Sequence, residues 1–168
     1  MNDKPSHTVM IVDDNLENLR VAAGIVSRAG YEVILVRNGQ DVLTGVKKHK
    51  LNAILLDVMM PGMDGFEVCR KLKKAPDTAE IPVIFVSAKS EVISIEKGFE
   101  MGGADYVTKP YSSRVMLARL KTHIEAAENK KQLQESEAKY RSLFREMPSG
   151  FALHEIITDP DGTIKDYR

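Results

Sequence analysis

Five short apolar runs recur through the first part of the chain, and a stretch with helical spacing follows each of them. The runs cover residues 8–12, 33–36, 53–56, 83–86 and 104–107. They are apolar throughout rather than alternating with polar residues, which is typical of strands covered on both faces. Strands that alternate with helices form a parallel sheet with right-handed crossovers. The pattern therefore predicts an α/β fold built from five strand–helix units.

Polar side chains stand where four of the five predicted strands end. These groups are Asp13 and Asp14 after the first run, Asp57 after the third, Ser87 after the fourth and Lys109 after the fifth. In an open parallel sheet the working site lies beyond the carboxyl ends of the strands. We therefore expect these groups to meet at one edge of the sheet. The second run ends at residues 37–39, which are typical of an ordinary turn.

The chemistry of these groups points to phosphate. Three carboxylates gathered at one edge repel each other and coexist at neutral pH only with a cation among them. Magnesium suits such a site, because it prefers oxygen ligands and keeps several waters. A lysine and a hydroxyl complete a cradle for a phosphoryl group, whose transfer needs mainly positioning and charge neutralisation. Asp57 lies between the acid pair and the Ser87–Lys109 pair in chain order, so it is the candidate nucleophile.

With these motifs the chain resembles the receiver domain of bacterial two-component response regulators over about residues 7–125. The motifs are Val12-Asp13-Asp14, Asp57 with Met60-Pro61-Gly62-Met63-Asp64-Gly65, Ser87-Ala88 and Lys109-Pro110. The resemblance implies a flavodoxin-like (βα)5 doubly wound parallel sheet with strand order 2-1-3-4-5. Here a long C-terminal helical extension would follow that sheet.

The resemblance also implies a metal-dependent phosphoacceptor. Asp57 would take a phosphoryl group from a phosphohistidine on a sensor histidine kinase or a phosphotransfer protein. Asp14, Asp57 and the backbone carbonyl of Met59 would hold Mg²⁺, and Asp13 would act through the water shell of the metal. No other cofactor is expected.

Three further features are implied by the same resemblance. Ser87 would donate a hydrogen bond to the phosphoryl oxygens and Lys109 would pair with them. The Lys109-Pro110 peptide would be cis. Tyr106 would be a switch aromatic that turns inward when Ser87 moves toward the phosphoryl group. The signal would leave through the face formed by the fourth helix, the fifth strand and the fifth helix.

The helical pattern continues from Ser112 with no glycine or proline until Pro148. Apolar residues stand seven apart at Ala126, Leu133, Tyr140 and Met147, with Leu143 offset. This spacing indicates a thin coiled-coil seam. We expect a signalling helix over residues 126–147 and a homodimer formed through the fourth and fifth helices and this seam.

The last residues, 148–168, resemble the opening of a PAS sensory domain. Asp159-Pro160-Asp161-Gly162 is a strong turn signal between two short strand patterns, which predicts a hairpin. The chain ends before a PAS core could close, so we expect a piece of a longer protein. The predicted organisation is a disordered stretch over residues 1–7, a receiver over 8–125, the linker over 126–147 and a truncated PAS start over 148–168.

Composition limits the surroundings and the partners. Lysine plus arginine and aspartate plus glutamate each number 24, so no charge excess points to nucleic acid. Cys69 is the single cysteine, which excludes an internal disulfide and fits a reducing compartment. No apolar run approaches the roughly 18 residues that a membrane span needs. We expect a cytoplasmic protein with no membrane or nucleic-acid contact in this chain.

Two other readings compete with the phosphoacceptor switch. A phosphatase of the haloacid dehalogenase type also uses an aspartyl phosphate, a lysine and magnesium, but its nucleophile sits in a D-x-D pattern that residues 13–16 do not supply. A scaffold that uses the domain only for dimerisation, independently of phosphorylation, is the second. A nucleotide-binding domain is disfavoured, because no G-x-G-x-x-G or P-loop is present. We expect no enzyme acting on a separate substrate, only self-catalysed gain and loss of phosphate.

Overall fold

A computed structural model describes residues 7–88, 98–146, 156–158 and 164–167 of the 168-residue chain. The chain divides into two compact units, Met1–Lys130 and Lys131–Arg168. None of the helices in the described segments combines the length and apolarity that crossing a bilayer requires.

The first unit contains a five-stranded parallel sheet. Its strands are β1 (Thr8–Val12), β2 (Glu32–Val36), β3 (Ala53–Asp57), β4 (Val83–Ala88) and β5 (Asp105–Lys109). The helices are α1 (Leu16–Arg28), α2 (Gly39–Gly45), α3 (Gly65–Lys74) and the long helix (Ser113–Glu146). The strand order is β2-β1-β3-β4-β5, which confirms the predicted flavodoxin-like doubly wound sheet with its long helical extension. Most of the predicted fourth helix lies outside the described residues.

The two faces of the sheet carry separate apolar clusters, as strands covered on both sides require. Successive residues of β1 and β3 alternate between the clusters: Met10, Val12, Ile54 and Leu56 belong to one, and Val9, Ile11, Ala53 and Leu55 to the other. All eight are buried. The two edge strands are less covered: Leu35 of β2 is about half exposed, and in β5 only Val107 is buried.

Each of the first three helices begins directly after a capping side chain. Asn15 caps α1, Asn38 caps α2 and Asp64 caps α3, each accepting a hydrogen bond from a backbone N–H of the first turn. The caps predicted at Asn15 and Asp64 are therefore present. Each cap therefore fixes the residue at which its helix begins after the preceding strand.

The long helix packs on the sheet only through its first turns. Its buried residues in the core are Met116, Leu120 and Ile124. Beyond them, two ion pairs hold it to the first unit: His7 Nε2 lies 2.8 Å from Glu128 Oε1, and Lys130 Nζ lies 2.7 Å from Glu80 Oε2. The helix thus leaves the apolar core at about residue 124 and continues beyond the unit.

The second unit contains the end of the long helix and two short strands, β6 (Ile156–Thr158) and β7 (Ile164–Tyr167). The two strands pair antiparallel, with Ile156 opposite Tyr167, in agreement with the predicted hairpin. The predicted turn at residues 159–162 lies outside the described residues.

Candidate functional site

Three carboxylates meet where β1 and β3 end. Val12 of β1 is paired with Leu56 of β3, so Asp13 and Asp57, the residues that follow, are neighbours. One oxygen from each of Asp13, Asp14 and Asp57 lies within 4.8 Å of the others. Asp13 and Asp57 are 2% and 5% exposed, whereas Asp14 faces solvent. The structure thus brings these predicted groups together, with an open side at Asp14.

Lys109 joins two of these acids. Its Nζ donates to Asp13 Oδ2 at 2.7 Å and to Asp57 Oδ1 at 3.0 Å. Burial alone would lower the pKa of Lys109, but its hydrogen bonds to the two carboxylates outweigh burial and raise it. The ammonium therefore stays charged between them. The Lys109-Pro110 peptide that follows is cis, as predicted.

One lysine does not balance the negative charge of the cluster. Burial raises the pKa of Asp57 from 3.8 to about 6; the hydrogen bond from Lys109 opposes this rise, and the charges of Asp13 and Asp14 add to it. A further cation near Asp57 would stabilise its ionised form. Three hard oxygen donors with one solvent-facing member match the preference of Mg²⁺ for a few carboxylates and several waters.

Two residues that the sequence reasoning passed over contact the acids directly. Asp13 Oδ1 accepts from the backbone N–H of Asn15 at 2.9 Å and from Asn18 Nδ2 at 3.1 Å. Arg37, at the end of β2, donates to the carbonyl oxygen of Asp14 at 3.3 Å. Arg37 lies where an ordinary turn was expected, and its exposed guanidinium also contacts the backbone at the rim of the site. The signal for Asn18 was its place in the first helical turn after the acid pair.

Ser87 and Met59 lie near the same edge. Ser87 is buried in β4, directly after Val86, which is paired with Asp57, and Ser87 itself is paired with Thr108. Met59 follows Asp57 by two residues and its side chain is 65% exposed, at the rim of the site. Both predicted residues are therefore placed at the carboxyl edge of the sheet.

Gly65, the first residue of α3, lies against the end of β3. A Cβ added there would stand 2.2 Å from the carbonyl oxygen of Asp57. The Gly65 N–H also donates to the carbonyl oxygen of Val58 at 2.9 Å. Since only glycine permits this approach, the start of α3 holds the backbone of the candidate nucleophile in place.

Tyr106 of β5 is half-buried against the sheet, at the predicted switch position. Its ring meets Phe99 edge-on at 6.5 Å between centroids, and the guanidinium of Arg119 lies over it. Arg119 and His123, both on the long helix, also bind the carboxylate of Asp105. The predicted switch residue thus lies under side chains of the helix that leaves the domain.

The fold and this edge together define a class of protein. It is a flavodoxin-like doubly wound domain with an acid cluster and a lysine at the carboxyl ends of its central strands. The family model described as response regulator receiver domain matches residues 9–121. The chain belongs to the response regulator receiver family.

Individual relatives agree with this assignment. The phosphate regulon transcriptional regulatory protein PhoB of Pseudomonas aeruginosa is 40% identical over 114 residues, which cover 68% of this chain and 50% of PhoB. The crystal structure of the signal receiver domain of a signal transduction histidine kinase from Syntrophus aciditrophicus is 30% identical, with a TM-score of 0.67 over 72% of this chain and 92% of that one. Chemotaxis protein CheY4 of Vibrio cholerae, 24% identical with a TM-score of 0.66 over 70% of this chain and 98% of that one, shares the fold. The chain spans about half the length of the first curated relatives it matches.

Proposed function

We propose that Asp57 accepts a phosphoryl group from a phosphohistidine on a sensor histidine kinase or a phosphotransfer protein. The observation that carries the proposal is Lys109, which bridges Asp13 and Asp57 within a cluster of three carboxylates. An oxygen of Asp57 forms the new bond to phosphorus as the bond from phosphorus to the imidazole nitrogen breaks. Lys109 and Ser87 bind the phosphoryl oxygens, which need charge neutralisation more than chemical groups.

Asp14, Asp57 and the backbone carbonyl of Met59 would hold Mg²⁺, with Asp13 acting through its water shell. Bound there, the metal supplies positive charge for the phosphoryl oxygens. The raised pKa of Asp57 supports this role, because the buried carboxylate is short of compensating charge. Asp14 is exposed, which leaves room for the waters that Mg²⁺ keeps.

Family membership does not favour the two competing readings, a phosphatase of the haloacid dehalogenase type and a phosphorylation-independent scaffold. The domain in this proposal turns over no separate substrate and catalyses only its own phosphorylation and dephosphorylation.

Incubation with Mg²⁺ and a small phosphodonor such as acetyl phosphate tests this function. Intact-mass spectrometry should show one added phosphoryl group on the wild type and none on Asp57→Asn. Asp41→Asn is the matched control, since Asp41 is an exposed acid on α2 outside the cluster. A mass gain that persists in Asp57→Asn, or that does not require Mg²⁺, would contradict the proposal.

The long helix is the proposed output. Tyr106 would respond to phosphorylation, and the face formed by the predicted fourth helix, β5 and the long helix would carry the change to a downstream domain. We propose that residues 126–147 form a signalling coiled coil between two copies of this chain in the cytoplasm, and that residues 148–168 begin a PAS domain. The exposed apolar residues of the seam support the coiled coil: Leu133 and Tyr140 are seven apart, and Leu143 follows three later.

The oligomeric state tests the coiled coil. Sedimentation of Leu133→Glu should show a shift from dimer toward monomer, because a charge would enter the seam. Gln134→Glu is the control, since it adds the same charge at the adjacent position outside the seam. Equal sedimentation of wild type and Leu133→Glu would exclude this interface.

A further inference from the structure

We propose that Asn18 is a positioning residue, which fixes the orientation of the Asp13 carboxylate and so sets the rate at which Asp57 takes up a phosphoryl group. The inference rests on the proposed function of Asp57. It gives a role to Asn18, which is not among the site residues predicted from the sequence.

The Asp13 carboxylate is held from three directions. Oδ1 accepts from the backbone N–H of Asn15 at 2.9 Å and from Asn18 Nδ2 at 3.1 Å, while Oδ2 accepts from Lys109 Nζ at 2.7 Å. A carboxylate can accept about four hydrogen bonds, so these donors decide which oxygen faces which neighbour. Asp13 is buried, and water cannot easily replace a lost donor. Hydrogen bonds to an ionised group are also the strong ones.

Asn18 is itself held in place by the first turn of α1. Its backbone N–H donates to the capping oxygen of Asn15 at 3.3 Å. The next residue, Leu19, donates its N–H to the Asn15 carbonyl at 3.1 Å and is buried in the core. The Asn18 amide therefore reaches Asp13 from a fixed backbone and not from a mobile loop. Among the three donors to Asp13, the Asn18 amide is the one that can be removed by substitution without deleting a charged group or a backbone N–H.

The consequence concerns Lys109, whose ammonium is shared between Asp13 and Asp57. When the phosphoryl group arrives, Lys109 must turn from the Asp57 oxygen to a phosphoryl oxygen. If Asp13 Oδ2 stays fixed, the Lys109 ammonium keeps its hydrogen bond to Asp13 throughout this exchange. Without the Asn18 amide, the Asp13 carboxylate can rotate and Lys109 loses that partner. Loss of the amide therefore slows the transfer step itself.

The test compares Asn18→Leu, which keeps the size but removes the amide, with the wild type. At saturating Mg²⁺ and acetyl phosphate, the phosphorylation rate of Asn18→Leu should fall about tenfold, the usual scale for an outer contact of a metal or catalytic group. The Mg²⁺ dissociation constant, measured by calorimetry without phosphodonor, should change less than about twofold, because the direct ligands Asp14, Asp57 and Met59 are unchanged and Asp13 would act on the metal only through water. Gln40→Leu is the matched control: it exchanges an exposed amide side chain on α2, outside the acid cluster, for the same leucine, so its rate should equal that of the wild type.

A second readout needs no phosphorylation. In Mg²⁺-free protein, the ¹⁵N resonance of the Lys109 ammonium should shift and its protons should exchange faster in Asn18→Leu. Lys73 is an internal reference, because its half-buried ammonium donates to the carbonyls of Ala79 and Ile81, away from the site. Its resonance should stay unchanged, which also shows that the variant is folded.

A phosphorylation rate of Asn18→Leu within about twofold of the wild type would overturn the inference, and so would an unchanged Lys109 resonance in that variant. A tenfold weaker Mg²⁺ constant with an unchanged rate would also overturn it, since Asn18 would then act on the metal. If the wild type takes up no phosphoryl group at all, the proposed function fails, and the Lys109 resonance alone still decides whether Asn18 orients Asp13.

Discussion

The guanidinium carbon of Arg119 lies 5.0 Å from the centre of the Tyr106 ring, so a cation on the long helix covers the aromatic side chain of β5. The same guanidinium is paired with Asp105, the residue before Tyr106. One side chain therefore connects the helix that leaves the domain to two successive residues of β5. This arrangement links the predicted switch position to the long helix without any residue of the acid cluster.

Arg119→Met should lower the free energy of unfolding by about 1 kcal/mol, since it removes a cation–π contact and a half-exposed ion pair but keeps the stem that covers the ring. Urea unfolding measures the change. Lys121→Met is the control on the same helix. Lys121 is exposed, and it also loses an ion pair in this variant, since its Nζ lies 3.8 Å from Glu125 Oε1. Its effect should stay within about 0.5 kcal/mol. Equal losses in the two variants would mean that the contact with Tyr106 contributes nothing.

Gly65→Ala should destabilise the domain by about 2 kcal/mol or more, because the new methyl group would meet the Asp57 carbonyl and force β3 and α3 apart. It should also reduce phosphorylation of Asp57. Gly24→Ala is the matched glycine control: Gly24 lies within α1, and the nearest atom to an added Cβ is the tip of Arg28 at 3.3 Å. The control should be neutral or more stable by up to about 1 kcal/mol, from helix propensity. Thermal and urea unfolding of both variants check this, and a neutral Gly65→Ala would refute the close packing.

Asp57→Asn should stabilise the Mg²⁺-free protein at neutral and alkaline pH. The pKa of Asp57 is raised to about 6 in the folded state, so folding favours the protonated form. The stability that Asp57 contributes is therefore present below its ordinary pKa of 3.8 and is lost as the pH rises through about 6. Asparagine does not ionise. The free energy of unfolding of Asp57→Asn should therefore be about 1–2 kcal/mol higher than that of the wild type at about pH 8.

Urea unfolding in the presence of a chelator, at about pH 8 and about pH 4.5, measures this difference. The excess free energy of unfolding of Asp57→Asn over the wild type should be smaller at the lower pH, where the folded wild-type carboxyl group is mostly protonated. Added Mg²⁺ should also narrow it at about pH 8, because the metal stabilises the ionised wild type. An advantage of equal size at both pH values would contradict the raised pKa.

The two parts of the long helix should respond differently to truncation. Leu120 is 0% exposed in the core, so Leu120→Ala should cost about 2–5 kcal/mol through lost burial and a cavity. Leu133 is 62% exposed beyond the core, so Leu133→Ala should change the unfolding of the first unit by less than about 0.5 kcal/mol. Urea unfolding at low protein concentration separates these effects from dimerisation. A large loss in Leu133→Ala would show that this part of the helix packs on the domain.

Much of the fold was readable from the order of residues. Each apolar run is long enough for one strand, and each is followed by helical spacing, so the parallel sheet followed from local periodicity and right-handed connections. Asp13, Asp57 and Lys109 could be predicted for the same reason. A residue at the end of a parallel strand is carried to a shared edge, whatever the details of packing. The domain boundaries, the PAS start and the coiled coil stay predictions.

Other side-chain contacts depended on how each helix is rotated and positioned against the sheet. Asn18, Arg37 and Arg119 lie on helices or at an edge strand, where the sequence does not say which neighbour a long polar side chain will reach. Gly65 shows the same limit, since its need for glycine comes from the 2.2 Å approach to a separate strand. Periodicity along the chain determined which residues share a face or an edge. Only the tertiary packing, which sets the rotation and distance of each helix against the sheet, decided which of them touch.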